Sequence, residues 1–116
     1  MSFDEFLATN FSFTNNSGKK ISKLGVQVTA QIRKAGSGSG SQYITATLYI
    51  NGTSSGNFPS VVLSTYSTTT AEVESVERTK NVSILDGGTF YIDFSATKSN
   101  IISIEEMTNL KLKITY

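Results

Sequence analysis

Nine carboxylates and five tyrosines are the side chains of this 116-residue sequence with the most capacity for chemistry. Cysteine, histidine and tryptophan are absent. That excludes thiol chemistry, a zinc site of the usual nitrogen and sulfur ligands, and a Ser-His or Cys-His nucleophile. It also excludes a disulfide framework, so cysteine usage says nothing about redox compartment. Paired carboxylates can hydrolyse glycosides unaided, which directs attention to Asp86, Asp93, Glu105 and Glu106. Asp86 belongs to an Asp-Gly-Gly turn, and Asp93 lies on the polar parity of an alternating run. Glu105 and Glu106 are adjacent, so in an extended chain they point opposite ways. Glu72, Glu74 and Glu77 read as an exposed strand or loop edge. Calcium needs only oxygen ligands, and Asp86 or Asp93 would supply some, but no loop has the dense Asp/Asn spacing of a dedicated site. The expectation is a protein that is not an enzyme and has no metal or cofactor.

Surface recognition is the remaining chemistry. Tyr49 and Tyr91 lie opposite the apolar parity of their runs, which points their rings outward for cross-strand packing or for binding. Phe3 and Phe6, with Leu7, precede the first clear strand as an apolar arm over residues 1–7. That arm either docks on a neighbour or closes the domain's own core. Lys19 and Lys20 open a basic region: residues 1–58 hold five basic against two acidic residues, and residues 59–116 five against seven. If the strands flanking the Asn15–Gly18 turn sit together, Lys19, Lys20, Lys23, Arg33 and Lys34 form a basic end that suits an acidic neighbour. Overall charge is only +1, which argues against sequence-blind nucleic-acid binding. Asn-x-Ser/Thr triplets at Asn10, Asn15, Asn51 and Asn81 carry no glycosylation reading, because about two arise by chance in so Ser/Thr-rich a sequence and no secretory signal is read.

The elements that must position these residues announce themselves by a period of two. Leu24, Val26, Val28, Ala30 and Ile32 alternate with polar residues, as do Phe90, Ile92 and Phe94, and Leu110, Leu112 and Ile114. Each is the pattern of a half-buried strand. Phe11/Phe13 and Val82/Ile84 are shorter versions, and Tyr43–Ile50, apolar on both parities, reads as a central strand touching something on each side. Asn15–Gly18, Asn51-Gly52 and Asp86-Gly87-Gly88 are turn signals, the last a short hairpin connection. Pro59 suits the start of a strand over 60–66. Ile104–Met107 has room for one helical turn. A Gly/Ser-rich stretch over residues 36–42 is expected as a hairpin loop between flanking strands.

The fold class follows: all-β, an antiparallel β-sandwich of jelly-roll type with about eight strands and little or no helix. Residues 8–116 form one domain. Serine and threonine, 32 residues together, supply the polar parity of its sheets. No apolar run reaches the roughly eighteen residues that span a membrane. Met1–Leu7 is acidic and lacks the hydrophobic run of a secretory signal, so synthesis in a cytoplasm is expected.

From Tyr43 onward the chain resembles jelly-roll carbohydrate-binding modules and related phage tail and capsid domains. The resemblance rests on Leu48-Tyr49-Ile50-Asn51-Gly52, Val61-Val62-Leu63-Ser64, Val82-Ser83-Ile84, Gly87-Gly88 with Phe90-Tyr91-Ile92-Asp93-Phe94, and Ile102-Ser103-Ile104-Glu105. It covers about two-thirds of the chain, and it departs from those modules in lacking the tryptophan on which they often stack sugars. The composition is also similar to that of small bacteriophage virion proteins. What the resemblance implies is a virion structural protein, a capsid-decoration, head-fibre or tail component, docking on other virion proteins or copies of itself. Such a protein is made in the host cytoplasm and ends in the virion. A glycan-binding module for host adhesion is the competing implication, and a designed scaffold, suggested by the Gly/Ser run, is a third.

Overall fold

The protein is described here from a computed structural model, covering residues 10–35, 40–95 and 102–116, apart from the side chains of Asn10, Phe11 and Met107. Nine strands are described: β1 Asn10–Thr14, β2 Ile21–Lys34, β3 Gly40–Ile50, β4 Thr53–Asn57, β5 Val61–Thr65, β6 Ala71–Glu74, β7 Arg78–Ile84, β8 Thr89–Ser95 and β9 Ile102–Thr115. All pairings are antiparallel, and they form two sheets. One runs β1-β8-β3, with β4 and β5 both on the far side of β3. The other is built on β2, with β9 along one side and β6 and β7 along the other. β8 comes to lie between β1 and β3 because the chain crosses from one sheet to the other between β7 and β8, as it also does between β1 and β2 and between β2 and β3.

Alternation decides which side of each strand is core. Leu24, Val26, Val28, Ala30 and Ile32 of one sheet and Ile44, Ala46, Leu48, Phe90, Ile92 and Phe94 of the other are buried and form one cluster. Burying such side chains is worth about 1.5–3 kcal/mol each, which holds the two layers together. β2, at about 3.3 Å per residue, spans roughly 46 Å, close to the 50 Å long axis of a body only 21 by 20 Å across.

Each long central strand has a broken partner. β4 and β5 are successive partners of β3, interrupted at Phe58-Pro59, where Phe58 N–H donates to Ala46 O at 2.9 Å. β7 and β6 divide β2 in the same way around Ser75. Ser75 is buried; it exchanges bonds with Val28, its N–H donating to Val28 O at 2.8 Å and its Oγ accepting from Val28 N–H at 3.0 Å. Both interruptions fall about half-way along the long strand.

Edges are guarded. Arg78 and Lys80 of β7 pair with Val26 and Leu24 and therefore lie on the core parity of an edge strand. Their stems cover apolar surface while their heads reach the other sheet: Arg78 Nε donates to Ser60 O at 2.8 Å, and Lys80 Nζ lies beside Gly56.

At one end the layers are locked by Asn15, which is buried although it stands in a turn. Its N–H donates to Gly88 O at 2.8 Å and its carbonyl accepts from Gly87 N–H at 2.7 Å. Its side-chain amide donates to Lys19 O at 2.8 Å and Ile84 O at 3.0 Å, and its Oδ1 accepts from Ser17 Oγ at 2.7 Å. Asp86 reaches back, accepting from Gly18 N–H at 2.9 Å. The β1–β2 and β7–β8 turns are thus one hydrogen-bonded unit.

Several expectations are corrected. Ile104–Met107 is strand, not a helical turn: β9 pairs with β2 throughout, and the register shifts next to Thr108 and Glu105 are bulges. Asp86–Gly88 is not a hairpin connection, because β7 and β8 lie in different sheets. The same holds for β2 and β3 on either side of the Gly/Ser stretch. Residues 40–42 of that stretch begin β3, and residues 36–39 lie outside the described residues. The outer side of β3 is open, with Tyr43 exposed, so that strand is central by its edges and not by its faces.

Replacing Asn15 by leucine leaves Ile84 O and Ser17 N–H without their partner. A loss of about 3 kcal/mol is expected, measurable as a lowered denaturation midpoint with unchanged slope; a change within experimental error would contradict the clamp.

Candidate functional site

Directly opposed residues of antiparallel strands share a face, so the registers assemble the outer surface of the β1-β8-β3-β4 sheet row by row. One row reads Ser12, Tyr91, Tyr49, Ser54. The next sets Asp93 beside Thr47 and Asn57, and Thr47 Oγ1 donates to Asn57 Oδ1 at 2.9 Å. Further along, Tyr43 stands opposite Val62, and Ser41 opposite Ser64 with their hydroxyls 2.7 Å apart.

The two tyrosines singled out in the sequence are brought together. Their rings stack with centroids 4.5 Å apart and planes at 7°. Each gives one face to the other and turns the opposite face towards a serine, Tyr49 towards Ser54 and Tyr91 towards Ser12. A serine fills little of the space beside a ring, so the half-buried pair keeps aromatic surface at its flanks. Hydroxyls, an amide and the Asp93 carboxylate line the neighbouring row. Such a surface offers hydrogen bonds and aromatic faces together.

No protein-family model and no curated protein matches the chain.

The other candidates are dispersed. Phe3 and Phe6 lie outside the described residues. Lys19 and Lys20 are exposed in the β1–β2 turn; of the basic residues expected to gather around them, Lys23 stays at that end and Arg33 and Lys34 do not. The strands flanking that turn belong to different sheets. Arg33 and Lys34 stand at the far end of β2, about 36 Å from Lys23 by strand length. Lys34 is buried, its Nζ donating to Ala35 O at 3.3 Å. Arg33 donates to Glu105.

The β9–β2–β7 sheet carries a different outer surface. Lys23, Lys111 and Lys113 occupy the half near the turn end, and Glu72, Glu74 and Glu106 the other half. Glu77 folds over Gly25, where an added Cβ would meet its carboxyl carbon at 3.1 Å. Among the described residues no cluster of His, Cys, Asp or Glu is arranged to hold a metal ion, and no helix is long and apolar enough to cross a membrane.

Sequence patterning located Tyr49 and Tyr91 but missed Asn57, Ser54 and Thr47 as their surroundings. The β4 segment, Thr-Ser-Ser-Gly-Asn, has no apolar alternation and every residue exposed, so nothing marked it as a strand. Its pairing comes from the Asn51-Gly52 turn, where both residues have positive φ and fold the chain back on β3.

The bond from Arg33, and secondarily one from Ser103 Oγ at 3.0 Å, holds the Glu105 carboxyl below the ordinary glutamate value. A carboxylate depressed by folding stabilises the fold above its unfolded titration range, and that contribution is lost as pH falls through the folded value. Both partners are exposed, so the effect is small. In Arg33→Gln, carbon-detected NMR should find Glu105 titrating closer to the ordinary value. The accompanying drop in Tm should shrink as pH falls below the carboxylate range. An unmoved Glu105 titration would exclude Arg33 as the cause.

Proposed function

We propose that this chain is a non-enzymatic structural protein of a phage virion, a capsid-decoration or tail/fibre component that docks on neighbouring virion subunits. The observation that carries this reading is the employment of three of its carboxylates, Asp86, Glu105 and Glu77, in holding the fold. Asp86 takes the Gly18 N–H, Glu105 takes Arg33 and Ser103, and Glu77 covers Gly25. Side chains committed in this way support a protein whose output is a surface rather than a reaction. A narrow body with a locked end suits a spacer or boss on a larger particle, and the Phe3/Phe6/Leu7 arm supplies apolar anchors ahead of β1. In this reading the protein is made in the host cytoplasm and incorporated into particles.

Peptide mass spectrometry of gradient-purified virions should find the chain at fixed stoichiometry. Deleting residues 1–7 should remove it from the particles while leaving the β-rich circular dichroism of the isolated protein intact. Purified particles without the chain would refute the assignment, and normal incorporation of the truncated form would refute the arm.

A second reading is favoured by the Tyr49–Tyr91 pair. Parallel rings beside Asp93, Thr47 and Asn57 match what a saccharide asks for, a ring face for its C–H groups and polar partners for its hydroxyls. The protein in this case is a lectin-like module for host-surface adhesion. Glycan-array binding that is lost in Tyr49→Ala and in Tyr91→Ala, with unchanged circular dichroism, is the expected result. An array that stays blank for the parent protein removes this reading.

A further inference from the structure

Cysteine and tryptophan, the side chains that compete best for a one-electron oxidant, are absent from this sequence, and five tyrosines stand against two methionines. An electron taken from the protein therefore comes from tyrosine. Loss of the phenolic proton then leaves a phenoxyl radical, whose unpaired electron is carried in part by the ring carbons ortho to the oxygen. What such a radical does next depends on its neighbours. Tyr43, Tyr66 and Tyr116 are exposed, and none of them stacks on a described ring. Radicals at those positions meet solvent or another molecule.

Tyr49 and Tyr91 are placed differently. They oppose each other directly on β3 and β8, both are half-buried, and their rings lie at 7° to one another with centroids 4.5 Å apart. Opposed side chains of antiparallel strands leave the sheet on the same face, so both phenols point outward together. The backbone beneath them is fixed: β8 is held between β1 and β3, and Leu48, Phe90 and Ile92, chain neighbours of the pair, are buried in the core. Two reacting groups held in this way need no diffusional encounter, which raises their effective concentration far above that of separate molecules. Ser12 and Ser54, on the flanks of the pair, offer no second ring to compete for the coupling.

We propose that Tyr49 and Tyr91 form an oxidative cross-linking site, at which a one-electron oxidant converts the stacked pair into a dityrosine joining β3 to β8 within one chain. Two oxidising equivalents are consumed. Each phenol gives one electron to the oxidant and its hydroxyl proton to water, and the two radicals couple through a new carbon–carbon bond between ortho positions. The hydrogen on each joined carbon then moves to the phenolic oxygen, which restores both aromatic rings and both hydroxyls. The product is lighter by two hydrogens, and nothing is added. Like a disulfide, the bond closes a long loop, here from 49 to 91, and so restricts the unfolded chain. The site goes beyond the virion and saccharide readings and depends on neither, since it uses the phenols and asks nothing of a particle or a glycan.

The test illuminates the full chain in dilute solution with a ruthenium tris-bipyridyl complex and persulfate, which together supply the one-electron oxidant. Dityrosine fluorescence is expected in a product of the 12.5 kDa chain size, at a yield that does not depend on protein concentration. Tryptic digestion and mass spectrometry should join the peptide carrying Tyr49 to the one carrying Tyr91, lighter than their sum by two hydrogens. Tyr49→Phe and Tyr91→Phe each keep a ring in place but remove a phenol, and each should lose the intrachain product. Tyr43→Phe, Tyr66→Phe and Tyr116→Phe combined in one chain should keep it. The cross-linked chain should also melt at a higher temperature than the parent. Dityrosine that forms only between chains, an intrachain product that survives Tyr49→Phe, or a cross-linked chain with an unchanged Tm overturns the proposal.

Discussion

Two sheets held together by a shared apolar core still need their relative position fixed, and here a single buried amide does that at one end. Asn15 spends its backbone on Gly87 and Gly88 and its side chain on Ser17, Lys19 and Ile84. It is buried where a turn residue would ordinarily be solvated, so its side-chain bond to Ile84 O is made away from water. β1 enters one sheet and β2 the other directly from this point. The heights of Tyr91 over Ser12, and of Lys23 over Asn81, are set by how the two turns interlock. The outer surfaces of both sheets are downstream of that geometry.

Much of this was legible in the sequence. The alternation of Leu24–Ile32, Phe90–Phe94 and Leu110–Ile114 located three strands and their inward faces, because a period of two is a direct consequence of the pleat. Asn51-Gly52 located a hairpin for the equally local reason that both residues tolerate positive φ. The misread places share one cause. Whether a turn joins neighbours in one sheet or carries the chain across to the other depends on partners distant in sequence, and Asp86-Gly87-Gly88 carries no mark of that choice. The helical turn expected at Ile104–Met107 failed for a related reason. A bulge breaks the alternation that identifies a strand, and two bulges within four residues erase it.

The candidate site was half visible. Outward-facing Tyr49 and Tyr91 followed from parity, but their contact did not, because it needs the register between strands separated by some forty residues of chain. The basic end inferred around Lys19 and Lys20 rested on two strands sitting together, and the structure assigns them to different layers. What replaces it is a separation of charge along the outer side of the β2-centred sheet, basic towards one end and acidic towards the other. That pattern depends on folding β6 and β9 to opposite sides of β2, which no local feature of either segment encodes.

The interruptions at Phe58-Pro59 and at Ser75 carry a mechanical consequence. Each stands about midway along β3 or β2, so the outer strands on that side are severed near mid-length while β2, β3 and β9 run on past the breaks. Stiffness along such a beam is not uniform. A load applied at the two extremities, with the Asn15 end clamped, concentrates curvature where the flanking ladder is cut, and the uncut strands serve as leaf springs. The same few residues that shorten the edges therefore set a waist, where the fewest continuous strands run along the long axis.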